Sequence, residues 1–164
     1  MKNMLILCAL LAAPVIVAPA FGQDQAAQTT GNAMTGKAPT TPVITDDGKL
    51  LADFGGKEGL TLIMDDFMVR LVANPRTRDF FAPADQDKIK RLLVEQMCVI
   101  MHGPCEYTGR SMAEAHAGMG VKEGGFYALV EEFQRSMSKF KVPFQSQNRL
   151  LSALAPMHRD MINK

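Results

Sequence analysis

The sequence predicts an all-α domain, and three observations carry the prediction. Apolar residues recur at spacings of three and four across most of residues 57 to 162. No run of alternating β-branched residues competes with that period. Glycines and prolines stand where the period breaks. From Lys57, the residues Leu60, Ile63, Met64, Phe67, Met68, Leu71 and Val72 form one stripe, and the helix must stop before Asn74-Pro75. A short helix over Thr77 to Phe81 follows, then Ala82-Pro83-Ala84-Asp85, where Asp85 is a suitable N-cap. The next helix carries Ile89, Leu92, Leu93, Gln96, Met97 and Ile100 and ends at His102-Gly103-Pro104. Ser111 to Ala117 has room only for a short helix before Gly118 and Gly120 interrupt. Two longer helices follow, from about Glu123 to Lys139 and from Phe144 to Ile162, with Pro156 predicting a kink or a lost hydrogen bond in the second.

The chain has 164 residues, of which 47% are hydrophobic and 21% charged, enough apolar content for one packed domain. Its formal net charge of +1 argues against binding nucleic acid, which calls for a clear basic excess. Twelve Met and nine Phe with no Trp point to a core or pocket packed by adaptable apolar contact. Residues 1–22 read as a secretory signal peptide: Lys2, an apolar run from Met4 to Val17, then small residues at Ala18-Pro19-Ala20. That implies an exported protein, periplasmic or secreted, without stable membrane insertion after cleavage. Residues 23–46 are rich in Gln, Thr, Ala, Gly and Pro and read as a flexible linker, leaving 47–164 as the folded domain. Cys8 falls in the signal segment. A helix running from Cys98 to Cys105 would hold their Cα atoms about 10 Å apart, so both are expected as reduced thiols unless the chain reverses at Gly103-Pro104.

The usual enzyme motifs are missing. His102, His116 and His158 make no i, i+4 pair for zinc and join no Cys pair. There is no Cys-x-x-Cys-His for covalent haem attachment, no phosphate loop, and no nucleophile elbow. His116, in the run Met112-Ala113-Glu114-Ala115-His116-Ala117-Gly118-Met119-Gly120-Val121, is the candidate of interest, because its small neighbours would admit a flat ligand close to an imidazole. A lone histidine of this kind equally reads as a hydrogen-bonded core or surface residue.

The order and spacing of further motifs resemble the group I truncated haemoglobins. These are Phe54-Gly55-Gly56 after a short first helix, Asp65-Asp66-Phe67, Val69-Arg70, Phe80-Phe81, Gly103-Pro104, Tyr107-Thr108-Gly109-Arg110, Met112, His116 to Val121, Phe126, Val142-Pro143 and Leu154-Ala155-Pro156. The resemblance covers about residues 48 to 162 and implies a two-over-two globin-like helical sandwich. It also implies that His116 is the proximal ligand of a haem b iron. Phe81 would pack on the haem face, Phe67 would wall the distal side, and Met112, Val121, Phe126 and Leu154 would line the proximal side and the edge. Tyr107 and Arg110 would meet haem or a propionate, although Arg110 equally reads as a solvated charge.

Several positions depart from the family pattern. Met68 stands where the family commonly has tyrosine, Ile89 and Leu93 stand where the distal helix often has polar residues, and His102 replaces the first glycine of a Gly-Gly-Pro corner. Met68, Ile89, Leu93 and Met97 together would make a distal wall without a strong hydrogen-bond donor. That loss would weaken oxygen binding by about 5- to 150-fold. The leading expectation is a haem protein binding a diatomic ligand such as oxygen, nitric oxide or CO. The alternatives are an exported electron-transfer or redox-sensing haem protein, with Met68 or Met97 as sixth ligand and an unknown redox partner, and a haem-free helical binding module.

Overall fold

The computed structural model describes residues 43–46 and 48–162, so the signal segment and residues 23–42 of the expected linker lie outside the described residues. Among the described residues the secondary structure is helical throughout. The short α1 (Lys49–Asp53) meets α2 (Gly56–Ala73) at a sharp corner. Gly55 and Gly56 take φ of 76° and 68°, left-handed backbone that costs glycine no strain. One turn later a Cβ at Gly59 would collide with the Phe54 carbonyl, so this corner closes only around a bare α-carbon. Val43–Asp46, assigned to the linker by composition, lie against the helices. The Ile44 N–H donates to the Ile100 carbonyl at 2.7 Å, and an Asp46 carboxylate oxygen accepts from Leu50 N–H at 3.0 Å and from Arg149 at 2.6 Å.

The strut of the fold is α2, packed on α4 (Gln86–Ile100) on one side and α6 (Glu123–Lys139) on the other. Its stripe from Leu60 to Leu71 is buried as the period predicts, and the Phe67 ring meets Phe133 of α6 at 5.1 Å. Beside that apolar contact, Asp66 accepts from Arg70 at 2.6 Å, from the Ser136 hydroxyl at 2.9 Å and from Lys139. Burial alone would push the Asp66 carboxyl up, but the donors from Lys139, Arg70 and Ser136 outweigh it and hold the pKa at about 2. At the far end of α2, α3 (Arg78–Phe81) begins after Thr77, whose buried hydroxyl donates to the Leu71 carbonyl at 2.7 Å. Arg78 donates to the Val72 and Ala73 carbonyls, each at 3.0 Å, which satisfies the last turn of α2.

Asp85 caps α4 as expected, accepting the Lys88 N–H at 3.0 Å. The other end of α4 changes one expectation. His102 takes φ of 58°, and the amides of His102 and Gly103 turn back onto the carbonyls of Val99 and Cys98 at 3.0 and 2.8 Å. The chain therefore reverses directly after α4, the Cα atoms of Cys98 and Cys105 come to 5.9 Å, and the two residues form a disulfide instead of the reduced thiols expected from a continuing helix.

The short α5 (Met112–His116) carries a full capping box between Ser111 and Glu114. The last predicted helix is broken. α7 (Phe144–Leu154) gives way to a tight 3-10 turn at Ala155–Met157, and α8 (His158–Met161) follows it and packs on α5. Pro156 has no N–H to continue the ladder, which is the cause of the break.

The Asp66 cluster makes stability sensitive to acid. An unfolded carboxyl titrates near its ordinary 3.8, so the stabilisation is complete above that value and is lost as pH falls through about 2. Asp66→Asn is expected to cost about 1 to 3 kcal/mol at neutral pH and to flatten the loss of stability between about pH 4 and 2. Urea unfolding curves over that range check both, and a wild-type acid limb in the variant would refute the assignment.

Candidate functional site

Between α2, α4, α6 and the end of α7 lies a cavity of about 730 Å³, within the range of roughly 300 to 1,000 Å³ found for cofactor pockets. Each element contributes by its period. Phe67 comes from α2, Phe81 from α3, and Ile89, Leu93 and Met97 from the inner stripe of α4. Tyr107 and Arg110 come from the segment after α4, Met112 and His116 from α5, Phe126 from α6 and Leu154 from α7. The structure thus brings eleven of the thirteen sequence-predicted residues to the lining of one cavity.

Met68 and Val121 are absent from that lining. Met68 is 2% exposed and sits about 100° around α2 from Phe67, so its side chain leaves the cavity for the interior. Val121 is buried in the link between α5 and α6. Gln96, a polar residue that the expected site did not include, also lines the cavity. It is 5% exposed, and its Nε2 has the Met157 sulfur at 3.9 Å, a weak acceptor. Gln96 falls seven residues after Ile89 and three after Leu93, so its place on the apolar stripe was the available signal.

The rim is charged. Lys88, Arg91 and Arg110 stand there with Asp85. Arg91 is engaged with Glu95 at 2.5 Å and with the Thr108 hydroxyl at 3.0 Å. Burial opposes the Glu95 carboxylate, but the Thr108 amide, the Thr108 hydroxyl and Arg91 more than compensate and lower its pKa. For Tyr107, burial and the nearby Glu95 charge raise the phenol pKa, so the group stays protonated and donates to the Arg110 carbonyl at 2.8 Å.

The geometry of His116 settles its tautomer. Nδ1 lies 2.8 Å from the Met112 carbonyl, and a carbonyl only accepts, so Nδ1 is the donor and, in the neutral ring, Nε2 is the nitrogen that can coordinate. A backbone acceptor on one nitrogen, fixing the ring for coordination through the other, is the usual arrangement of a metal-binding histidine. The other histidines are placed differently. His102 turns the corner after α4. His158 has its Nε2 sealed from solvent and its ring edge-on to Phe126 at 4.6 Å, behind the cavity wall. Among the described residues no group of three or more His, Cys, Asp or Glu side chains could hold a metal ion. An apolar slot with one poised imidazole and a cationic rim fits an iron porphyrin bearing anionic propionates.

Comparison with known proteins agrees. Residues 49–163 match the family model described as bacterial-like globin. The group 1 truncated haemoglobin of Mycolicibacterium paratuberculosis is 28% identical over 103 residues, covering 63% of this chain and 76% of the relative. That of Synechocystis sp. is also 28% identical, over 121 residues, covering 70% of this chain and 98% of the relative. Among solved structures, the Fe(III) truncated haemoglobin of Tetrahymena pyriformis superposes with a TM-score of 0.67 at 23% identity, covering 70% of this chain and 98% of that one. The cyanomet 2/2 haemoglobin of Synechococcus sp., which carries covalently attached haem, does so with 0.64 at 24% identity over the same shares. The cavity, its imidazole, the helical order and these matches lead to one conclusion: the chain belongs to the bacterial-like globins, haem proteins that bind diatomic gases, and has the two-over-two fold of the group 1 truncated haemoglobins.

Proposed function

We propose that the cavity holds haem b without a covalent link and that His116 is its only protein-derived proximal ligand. The observation that carries this reading is the His116 imidazole, held by Met112 with Nε2 available on the wall of an apolar cavity. When bound, haem iron supplies the coordination position at which a diatomic gas is held. The chain supplies the rest. Phe81, Phe126 and Leu154 exclude water from the ring, Lys88 and Arg110 offer their charge to the propionates, and Gln96 offers an amide donor to the gas ligand. The reading with a methionine sixth ligand is not favoured by membership of the globin family; Met68 leaves the cavity, while Met97 lines it and serves as an apolar packing residue in this reading. Export is part of the proposal, supported by the pattern of residues 1–22 and by a Cys98–Cys105 disulfide, a bond that persists in oxidising compartments. Among the described residues no helix is long and apolar enough to cross a membrane.

His116→Ala is expected to abolish stable haem uptake while His158→Ala leaves it intact. Soret absorbance after haem titration reads the difference, and an unchanged spectrum in His116→Ala would sink the assignment.

Gln96→Leu keeps the volume of the wall and removes its amide. Loss of about 1 to 2 kcal/mol of hydrogen bonding should speed oxygen release about 5- to 30-fold. Stopped-flow oxygen dissociation measures this, and an unaltered off-rate would show that the amide does not face the ligand.

A further inference from the structure

Residues 101–110 run across the cavity and supply Tyr107, Thr108, Gly109 and Arg110 to its wall. From Pro104 to Arg110 the segment forms no helix or strand, so its position depends on its fastenings. Two of these reach α4. The first is the Cys98–Cys105 bond. The second is polar: Glu95 accepts the Thr108 N–H at 3.0 Å and the Thr108 hydroxyl at 2.7 Å, with Arg91 bridging the pair. Beyond Arg110 the chain enters Ser111, the N-cap of the helix that carries His116. A change in this strap therefore reaches both the rim and the imidazole.

The two sulfurs are unequally accessible. Cys98 is 0% exposed within α4, and a Cβ built on Gly103 would come within 2.6 Å of its Sγ. Cys105 is only partly buried, between the exposed Pro104 and Glu106. An attacking thiolate would therefore meet Cys105 first.

We propose that the Cys98–Cys105 bond is a redox-addressable clasp, opened by an external dithiol at Cys105, whose release frees the strap and loosens retention of the cofactor. The retention half of the proposal rests on the haem reading above. One thiolate of the dithiol attacks Cys105 Sγ, breaking the Cys98–Cys105 bond and forming a mixed disulfide. Cys98 leaves as a thiolate and takes up a proton. The second thiol of the reductant then closes its own disulfide and releases Cys105, so two electrons pass from the dithiol, which is oxidised, to the protein disulfide, which is reduced. The polar fastening at Glu95 survives, but it is reversible and exposed to solvent on the Arg91 side. Reduction thus leaves a strap that opens and closes.

Hydrogen exchange on the purified protein as isolated, before and after dithiothreitol, tests the clasp, with thiol counting to confirm two free thiols. Amides of residues 105–110 are expected to exchange at least about tenfold faster after reduction, with the interior of α2 unchanged. Haem transfer to excess apomyoglobin is expected to quicken at least about fivefold. The double variant Cys98→Ser/Cys105→Ser should match the reduced protein in oxidising buffer. Unchanged exchange over 105–110 overturns the proposal, as does equal acceleration in α2, which would make the bond a staple of the whole fold. Faster strap exchange with unchanged haem transfer overturns the link to retention and leaves the haem reading standing. A failure of that reading shows instead as a missing Soret band, and the exchange measurement still decides whether the bond is a clasp.

Discussion

The helices of residues 49–161 shape a largely apolar space of about 730 Å³, and the rest of the structure depends on holding its walls apart. Protein interiors are close-packed, so walls held at that distance make their contacts through whatever lies between them. A cofactor bound there stabilises the fold by mass action. Met97, Met112, Met157 and Met161 on the lining suit this demand, because an unbranched thioether accommodates a second packing partner without a change of backbone.

The compensation for the cavity lies elsewhere. Asp66 with Ser136 and Lys139, and Glu132 with Asn74 and Arg135, join α6 to α2 and to the turn after it, yet none of these residues lines the cavity. α2 is thus divided along its length. Phe67 faces the open side, and Asp66, one residue away and a quarter turn around, faces the clamped side. The polar groups are paired where packing is tight, and the apolar groups are left for the cofactor.

Periodicity in the sequence was enough to place α4 and α6, because those features are local, whereas the role expected of His116 came from the resemblance to the truncated haemoglobins. A capping box, a proline or a pair of glycines declares itself within a few residues. Met68 was misread because α2 is buried on two sides, and a residue buried toward a neighbouring helix carries the same pattern as one buried toward a cavity. Gln96 was visible on its stripe, but its enclosure depends on Met157, 61 residues away. The disulfide was missed because it needs a left-handed histidine at position 102, which few non-glycine residues adopt. The contact of His158 with Phe126 was not legible because the packing of α8 on α5 is a tertiary event, and the proline alone announces only that the helix breaks.

The docking of α8 has a consequence for the site. α8 follows every other described helix in the sequence, and it packs on the short helix that carries His116. α5 has five residues, too few to persist on its own propensity. The imidazole therefore keeps its orientation only while α8 stays docked, and fraying of those final described turns would reach the site without any change in α2 or α4.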